Sequence, residues 1–377
     1  MRIGIVAGEI SGDNLGSGLI KAIKAKHPEV EFVGVGGAGM IEAGCISLFP
    51  LEKLSVMGLV EILVHYRELY GIRKELINYY QENPIDIFIG IDYPGFNLGL
   101  EAILKKSGIK TIHYVCPQVW AWREGRIPKI RAAVDLILAI LPFEENYLKR
   151  HNINARFIGH TMADQIPEHV DQQAVRRQLG LSAEKTTIAL MPGSRSKEWQ
   201  HHAEEFIKSA VWCAENRADL HFIAVMVNEK AELIFKQHQH QLAPDLAITY
   251  IRGNSLAAIA ASDVVLSVSG TAALEIMLSK KPMVIAYKTS WMTYQLAKRL
   301  VKLPYLSLPN LLAEQALIPE FIQEQATAEN LGKALLEWLD QPTKLQTYTQ
   351  ISQNIHDQLR CNANEQAAEA VLNLCKN

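Results

Sequence analysis

Cysteine is scarce in this sequence and has no pairing pattern. There are five among 377 residues (Cys45, Cys116, Cys213, Cys361 and Cys375), an odd and widely scattered set without a C-x-x-C pair or Cys/His ligand spacing. That excludes a small disulfide-stapled module and points to a reducing compartment. An excess of one charge is also lacking: 38 Lys plus Arg stand against 40 Asp plus Glu, a net charge of −2. No bulk attraction to nucleic acid follows, and no nucleic-acid partner is expected. No stretch reaches the roughly 18 uninterrupted apolar residues of a spanning helix, because Asp135 and Asp263 break the best candidates. The chain contains no G-x-x-x-x-G-K-[ST], H-E-x-x-H, G-x-S-x-G or D-x-D. P-loop, zincin and α/β-hydrolase chemistry are thereby set aside, as is a carboxylate pair holding a metal-bound diphosphate; no metal site and no cofactor are expected. Low-complexity tracts and repeats at solenoid periods are missing too.

What is present is the composition of a folded protein, 49% apolar and 21% charged. The length suits two domains of roughly 100–200 residues each. Short β-branched runs recur at 2–7, 32–35, 85–91, 111–115, 136–140 and 156–158, then at 187–191, 222–225, 248–251, 264–268 and 283–286. Each is followed by a longer segment of helical period. Strands that do not alternate are buried on both faces, which requires helices on either side of a parallel sheet. The pattern predicts two doubly wound α/β domains, 1–165 and 166–345. A helical segment, 346–377, would pack across domains or subunits. The polar stretch 165–173, with Pro167, Glu168, His169 and Asp171, is the expected joint. The opening apolar run is followed at once by Glu9 and Asp13, which reads as a first strand rather than a secretory signal. A cytoplasmic protein is expected. Ligands of open parallel sheets bind at the carboxyl edges of the strands, so two such domains facing one another would hold theirs in a cleft between them.

The residues just after each strand are therefore the informative ones. The first strand ends in Gly8-Glu9-Ile10-Ser11-Gly12-Asp13, which brings two carboxylates and a hydroxyl to a sheet edge; helix capping by Ser11 or Asp13 is the plainer reading. Gly90-Ile91-Asp92-Tyr93-Pro94 brings Asp92 out at another strand end, either as an Asx-turn into the proline or as a general base for a hydroxyl. Trp120, Trp122 and Arg123 follow a third strand and suit either stacking or aromatic core packing.

In the second domain, Pro192-Gly193-Ser194-Arg195 presents a guanidinium on a Gly-Ser turn. It would fork onto phosphate oxygens or pair with Glu198. Val268-Ser269-Gly270-Thr271-Ala272-Ala273-Leu274-Glu275 runs from a strand into a helix through small residues. Free N–H groups and the macrodipole make such a terminus an anion cradle. Glu275, four residues after Thr271, is outside capping-box spacing and could accept from ribose hydroxyls. Together these residues spell a nucleotide diphosphate site. By contrast, Gly34-Val35-Gly36-Gly37-Ala38-Gly39 matches G-x-G-x-x-G but follows the second strand, so dinucleotide binding is not expected there. His238 and His240 read as a solvated helix face.

Residues 56–80 read as one helix with an apolar surface wider than a single core stripe, flanked by His65, Arg67, Arg73 and Lys74. It is either deeply packed or a membrane-docking element led by Met57, Leu59, Val60, Leu63 and Leu69.

These motifs, with Val56-Met57-Gly58, Phe157-Ile158-Gly159-His160, Ser307-Leu308-Pro309-Asn310 and Arg360-Cys361-Asn362-Ala363-Asn364-Glu365-Gln366 in the same order, resemble the lipid-A-disaccharide synthase family. The likeness runs from the first strand to the last helix. Cys116 and Gln118 stand where that family would have serines. The resemblance implies a GT-B fold, two facing Rossmann-like domains with an interdomain cleft. It also implies metal-independent inverting transfer of 2,3-diacylglucosamine from UDP to the 6-hydroxyl of 2,3-diacylglucosamine 1-phosphate (lipid X). Asp92 would then be the base and Arg195, with the 269–271 terminus, would receive the leaving diphosphate. Glu275 and Asn310 would hold the nucleotide, Ser11 and Asp13 would lie near the acceptor or donor sugar, and Glu9, Trp120, Arg123, Ser194 and Ala272 would be further substrate-binding residues. The enzyme would sit peripherally on the cytoplasmic face of an inner membrane; its oligomeric state is left open, a homodimer being one assembly the sequence allows. A UDP-sugar 2-epimerase of the same fold and a non-catalytic nucleotide-sugar sensor are the rival expectations.

Overall fold

The computed structural model describes residues 1–55, 65–301 and 303–376, which fall into two compact units: 1–164 with 358–377, and 165–357. The first unit holds a seven-stranded, all-parallel sheet: β1 (Arg2–Ala7), β2 (Glu31–Val35), β3 (Cys45–Ser47), β4 (Ile87–Ile91), β5 (Lys110–Tyr114), β6 (Leu136–Ala139) and β7 (Ala155–Phe157). Their spatial order is β3-β2-β1-β4-β5-β6-β7. The second unit holds six parallel strands: β8 (Thr186–Met191), β9 (Leu220–Met226), β10 (Ile248–Arg252), β11 (Val264–Ser267), β12 (Met283–Tyr287) and β13 (Glu320–Ile322). They are ordered β10-β9-β8-β11-β12-β13. Both are doubly wound sheets. The strand order reverses between β1 and β4 in one, and between β8 and β11 in the other.

Burial explains why these runs are strands without alternation. Ile3, Ile5 and Ile89 pack toward one helical layer, with Leu19, Ile20 and Val371; Val6, Val33 and Phe88 pack toward the other, with Ile72, Leu76 and Tyr80. Each apolar side chain leaves water on one face or the other. The edge strands β3 and β13, three residues each, lack the apolar run that marks the rest.

The chain's last segment divides. The helix Pro342–Leu359 lies largely within the second unit, while the helix Ala363–Lys376 returns to the first and packs on the helix Ile10–Lys26. Asp164 fixes that return by accepting N–H bonds from Asn362 (2.9 Å) and Ala363 (2.6 Å).

The broad apolar helix expected over 56–80 is only partly observed. A helix runs over Tyr66–Glu82, and Met57, Leu59, Val60 and Leu63 lie outside the described residues. Leu69 corrects the docking expectation: it is 7% exposed and packs with Leu54, Ile72 and Leu76, because its helix lays its inner stripe on β2 and β4. Among the described residues no helix is long and apolar enough to cross a membrane.

Candidate functional site

Asp92 follows the last residue of β4, beside the end of β1, where the sheet order reverses. Its φ is 47° and that of Tyr93 is 45°, so two successive side-chain-bearing residues hold the left-handed conformation. Such strain costs of order 1–3 kcal/mol per residue and persists only where surrounding contacts fix it. Those contacts are visible. The Asp92 N–H donates to Tyr114 O at 2.8 Å, Asn97 Nδ2 donates to the Asp92 carbonyl at 2.8 Å, and Pro94 opens the next helix. A Cβ on Gly8 would stand 2.6 Å from the Tyr93 side chain, so glycine is required where the β1 end passes this turn. A cavity of about 190 Å³ opens here, lined by Gly8, Glu9, Leu54, Ser55, Asp92, Tyr93 and Pro94.

Burial pushes the Asp92 carboxyl above its usual range, and the nearby Glu9 charge adds to the effect; His113 opposes it. A raised carboxylate in a cavity is a better base than a solvated one. Glu9 accepts a 2.6 Å hydrogen bond from Ser11 Oγ, and both remain accessible.

Three residues expected to hold substrate are committed elsewhere. Asp13 is 5% exposed and its two oxygens accept from the N–H groups of Gly37 (2.7 Å), Gly39 (2.9 Å) and Met40 (3.0 Å). It therefore pins the glycine-rich turn after β2, and a carboxylate so occupied has little left for a sugar. The glycines have a packing origin, since a Cβ on Gly34 would collide with the Ile5 carbonyl. Asn310 is 1% exposed; its Nδ2 donates to Ile318 O and Glu320 Oε1, and its Oδ1 accepts from Ile318 N. Trp120 donates from Nε1 to Glu144 Oε1 at 3.1 Å and meets Phe143 edge-to-face, the core-packing alternative. Arg123 stacks on Trp122 at 3.7 Å and stays near solvent.

In the second unit the two candidate turns also flank a strand-order reversal, at the ends of β8 and β11. Gly193 (φ 115°) lets Glu198 approach closely. That carboxylate accepts from Ser194 N (3.0 Å) and Arg195 N (3.1 Å), and pairs with Arg195 Nη1 at 3.0 Å. The Glu198 pairing weighed from the sequence is thus formed, and Glu198 occupies the donors that a phosphate would use. Arg195 is nevertheless exposed, so the guanidinium is available to a ligand.

The helix Thr271–Leu278 begins after Gly270, whose φ of 155° favours glycine and beside which a Cβ would meet nothing within 4 Å. Its first N–H groups lack intrahelical partners, and Thr271 and Ala272 are accessible beside them. Ser269 Oγ reaches Leu306 O at 3.5 Å. Glu275 is half-buried, accepts from Ser255 Oγ at 3.0 Å, and is raised above its usual range by burial.

Residues that carried no role in the sequence reading complete the picture. Asn97 Nδ2 also reaches Val6 O (3.3 Å) and Ile91 O (3.2 Å), tying β1 to β4 beneath Asp92. Glu101 Oε1 meets His113 Nδ1 at 2.7 Å with both side chains fully buried, and Gly90 leaves room for that carboxylate. A second cavity, about 420 Å³, lies at the amino edge of the second sheet by Thr186, Asp263 and Pro282. Two of the cations that line it, Arg176 and Arg217, are paired with Asp263 and with Asp219 and Asp340. That edge is opposite the one where open sheets bind ligands. Among the described residues no group of three His, Cys, Asp or Glu could hold a metal ion.

Among solved structures the chain is similar to UDP-GlcNAc 2-epimerase from Neisseria meningitidis bound to UDP-GlcNAc (TM-score 0.65, 13% identity, 100% of both chains). It is also similar to WaaG, a glycosyltransferase involved in lipopolysaccharide biosynthesis (TM-score 0.56, 13% identity, 98% of this chain and 99% of that one). These likenesses establish the fold alone. Sequence relatives are much nearer. The lipid-A-disaccharide synthase of Aeromonas hydrophila is 46% identical over 99% of this chain and 98% of its own, and that of Psychromonas ingrahamii 47% over 100% and 98%. The family model described as lipid-A-disaccharide synthetase matches residues 3–371, and the chain belongs to that family.

Proposed function

We propose that this chain, a glycosyltransferase of lipid A biosynthesis by its family, joins UDP-2,3-diacylglucosamine to 2,3-diacylglucosamine 1-phosphate. The products are a β-1,6-linked disaccharide 1-phosphate and UDP. The observation that carries the mechanism is Asp92: a strained, partly buried carboxylate at a strand-order reversal, with its pKa raised. It takes the proton from the acceptor 6-hydroxyl as that oxygen attacks the anomeric carbon, a contribution of roughly 10²- to 10⁴-fold. The transition state is oxocarbenium-like, and negative charge grows on the departing diphosphate. Arg195 and the N–H groups at Gly270, Thr271 and Ala272 receive that charge, each donor contributing about 3 kcal/mol. Attack opposite the leaving group inverts α to β, so no covalent intermediate forms on the enzyme. Glu275 accepts from the ribose hydroxyls, Ser194 and Ser269 flank the diphosphate, and Glu9, Ser11 and Arg123 border the sugars.

Two lipid substrates place the work at a bilayer surface, and the enzyme is read as peripheral on the cytoplasmic face of an inner membrane. A 2-epimerase reading has the fold likeness on its side, but family membership and relatives at 46–47% identity favour glycosyl transfer. The test is direct. UDP-2,3-diacylglucosamine and lipid X in detergent should yield UDP and disaccharide in equal amounts. UDP-sugar epimerised without the acceptor, or binding without turnover, would overturn the reading.

A further inference from the structure

The helix Trp291–Leu300 in the second unit has no buried residue. Trp291 is 67% exposed, Met292 77%, Leu296 59% and Leu300 40%. Met292, Leu296 and Leu300 recur at four-residue spacing, so they line one stripe, and Trp291 flanks it about 100° around the helix from Met292. An exposed row of three large apolar side chains, with an exposed indole about 100° around the same ten-residue helix, is not the scatter of single apolar residues found on ordinary surfaces. The start of the helix is capped and the residue leading into it is tied down. Ser290 Oγ accepts from Thr293 N at 3.4 Å, and Gln323 Oε1 accepts from Thr289 N at 2.7 Å just ahead of it.

Charge selects the occupant. The sequence Trp-Met-Thr-Tyr-Gln-Leu-Ala-Lys-Arg-Leu contains no acid, and its cations, Lys298 and Arg299, are both accessible in the last turn. Arg299 lies seven residues after Met292, on the apolar side itself. A protein partner with a dry apolar patch would leave that guanidinium desolvated and unpaired. An anionic lipid surface accepts both features: acyl chains take the apolar stripe, headgroup phosphates take the cations, and the indole suits the interface between them. We propose that the helix Trp291–Leu300 docks the second unit on an anionic membrane. This deepens the lipid-substrate reading and rests on it for the reason a membrane is near; it requires nothing of residues 56–64.

The experiment separates binding from chemistry. The full chain without substrate is sedimented with vesicles containing phosphatidylglycerol, and UDP release is measured apart from vesicles on detergent-dispersed substrates. Trp291→Ser with Leu296→Ser should lower vesicle partition by about tenfold or more. Lys298→Gln with Arg299→Gln should lower it less, and remove most of its salt sensitivity. Both should keep the detergent rate, which fails only if the catalytic reading fails. Lipids brominated near the headgroup should quench wild-type fluorescence, and Trp291→Phe should lose that quenching; this single change keeps the surface apolar and the fold intact. Partition of the double Ser variant within twofold of wild type would overturn the proposal, as would equal quenching of Trp291→Phe. It would also fall if the wild type ignored vesicles, or if the Ser variant lost self-association in place of lipid binding.

Discussion

Asn97 Nδ2 stands 2.8 Å from the carbonyl oxygen of Asp92, and the same amide faces the carbonyls of Val6 and Ile91. One buried amide thus holds the ends of β1 and β4 and the strained turn between β4 and the helix Pro94–Lys106. Only a donor fits among three acceptors. Asn97→Asp puts a carboxylate against those carbonyls, a change costing several kcal/mol while it is ionised. Its folded pKa would then lie above the unfolded value. Stability is greatest below that unfolded value, about 3.9, and is lost as pH rises through the folded pKa. Urea unfolding of Asn97→Asp should therefore show a midpoint that falls toward neutral pH where the wild type's does not. A midpoint matching wild type at pH 7 would reject the tie.

Asp92→Asn keeps the shape and removes the proposed base. Turnover should drop roughly 10²- to 10⁴-fold with UDP affinity within about threefold of wild type. The acid limb of the rate profile carries a second reading. As the proposed base, Asp92 would have to be ionised, and burial with the Glu9 charge lifts its pKa above 3.8, so activity should be lost as pH falls through that raised value. Glu9→Gln removes the like charge and should move the limb to lower pH. A limb that stays put, or moves up, would show that Glu9 does not act on Asp92.

Much of this was legible in the residues, and what was not has a physical reason. Both sheets follow from apolar runs, since burial on two faces leaves a mark in the sequence; β3 and β13, three residues each at sheet edges, leave none. The positions of Asp92, Arg195 and Gly270 follow from their place after strands. Which polar side chains stay free for a ligand does not, because it depends on contacts made beyond the local motif. Asp13 is consumed by Gly37, Gly39 and Met40, and Asn310 by Ile318 and Glu320. The Glu101–His113 pair is invisible to local pattern for the same cause: only the parallel register of β4 and β5 brings Gly90 beside His113.

Asp13 offers the sharpest separation of scaffold from site. Asp13→Ala deprives three backbone N–H groups of a charged acceptor, a loss of order 3 kcal/mol. The urea midpoint should fall with its slope unchanged. At a temperature where the variant is still folded, KM for both substrates should stay within about twofold of wild type. A large rise in KM with normal stability would return Asp13 to the sugar site.

The Arg195 turn yields a pair of opposite signs. Glu198 takes the N–H groups of Ser194 and Arg195 and pairs with the guanidinium, so a diphosphate binding as proposed would compete with a carboxylate. Removing the cation and removing the competitor should act in contrary directions. Arg195→Ala loses a donor for the leaving group and should lower kcat about 10²-fold, with weaker UDP binding. Glu198→Gln retains an acceptor for the two N–H groups but no longer repels phosphate, so UDP should bind several-fold more tightly, about tenfold at low salt. The gain should shrink as salt rises, because the turn is exposed and screening reaches it. Equal effects of the two substitutions on UDP affinity, measured by calorimetry, would mean that Glu198 supports Arg195 rather than competing with the ligand, and that the turn needs its carboxylate in the bound state.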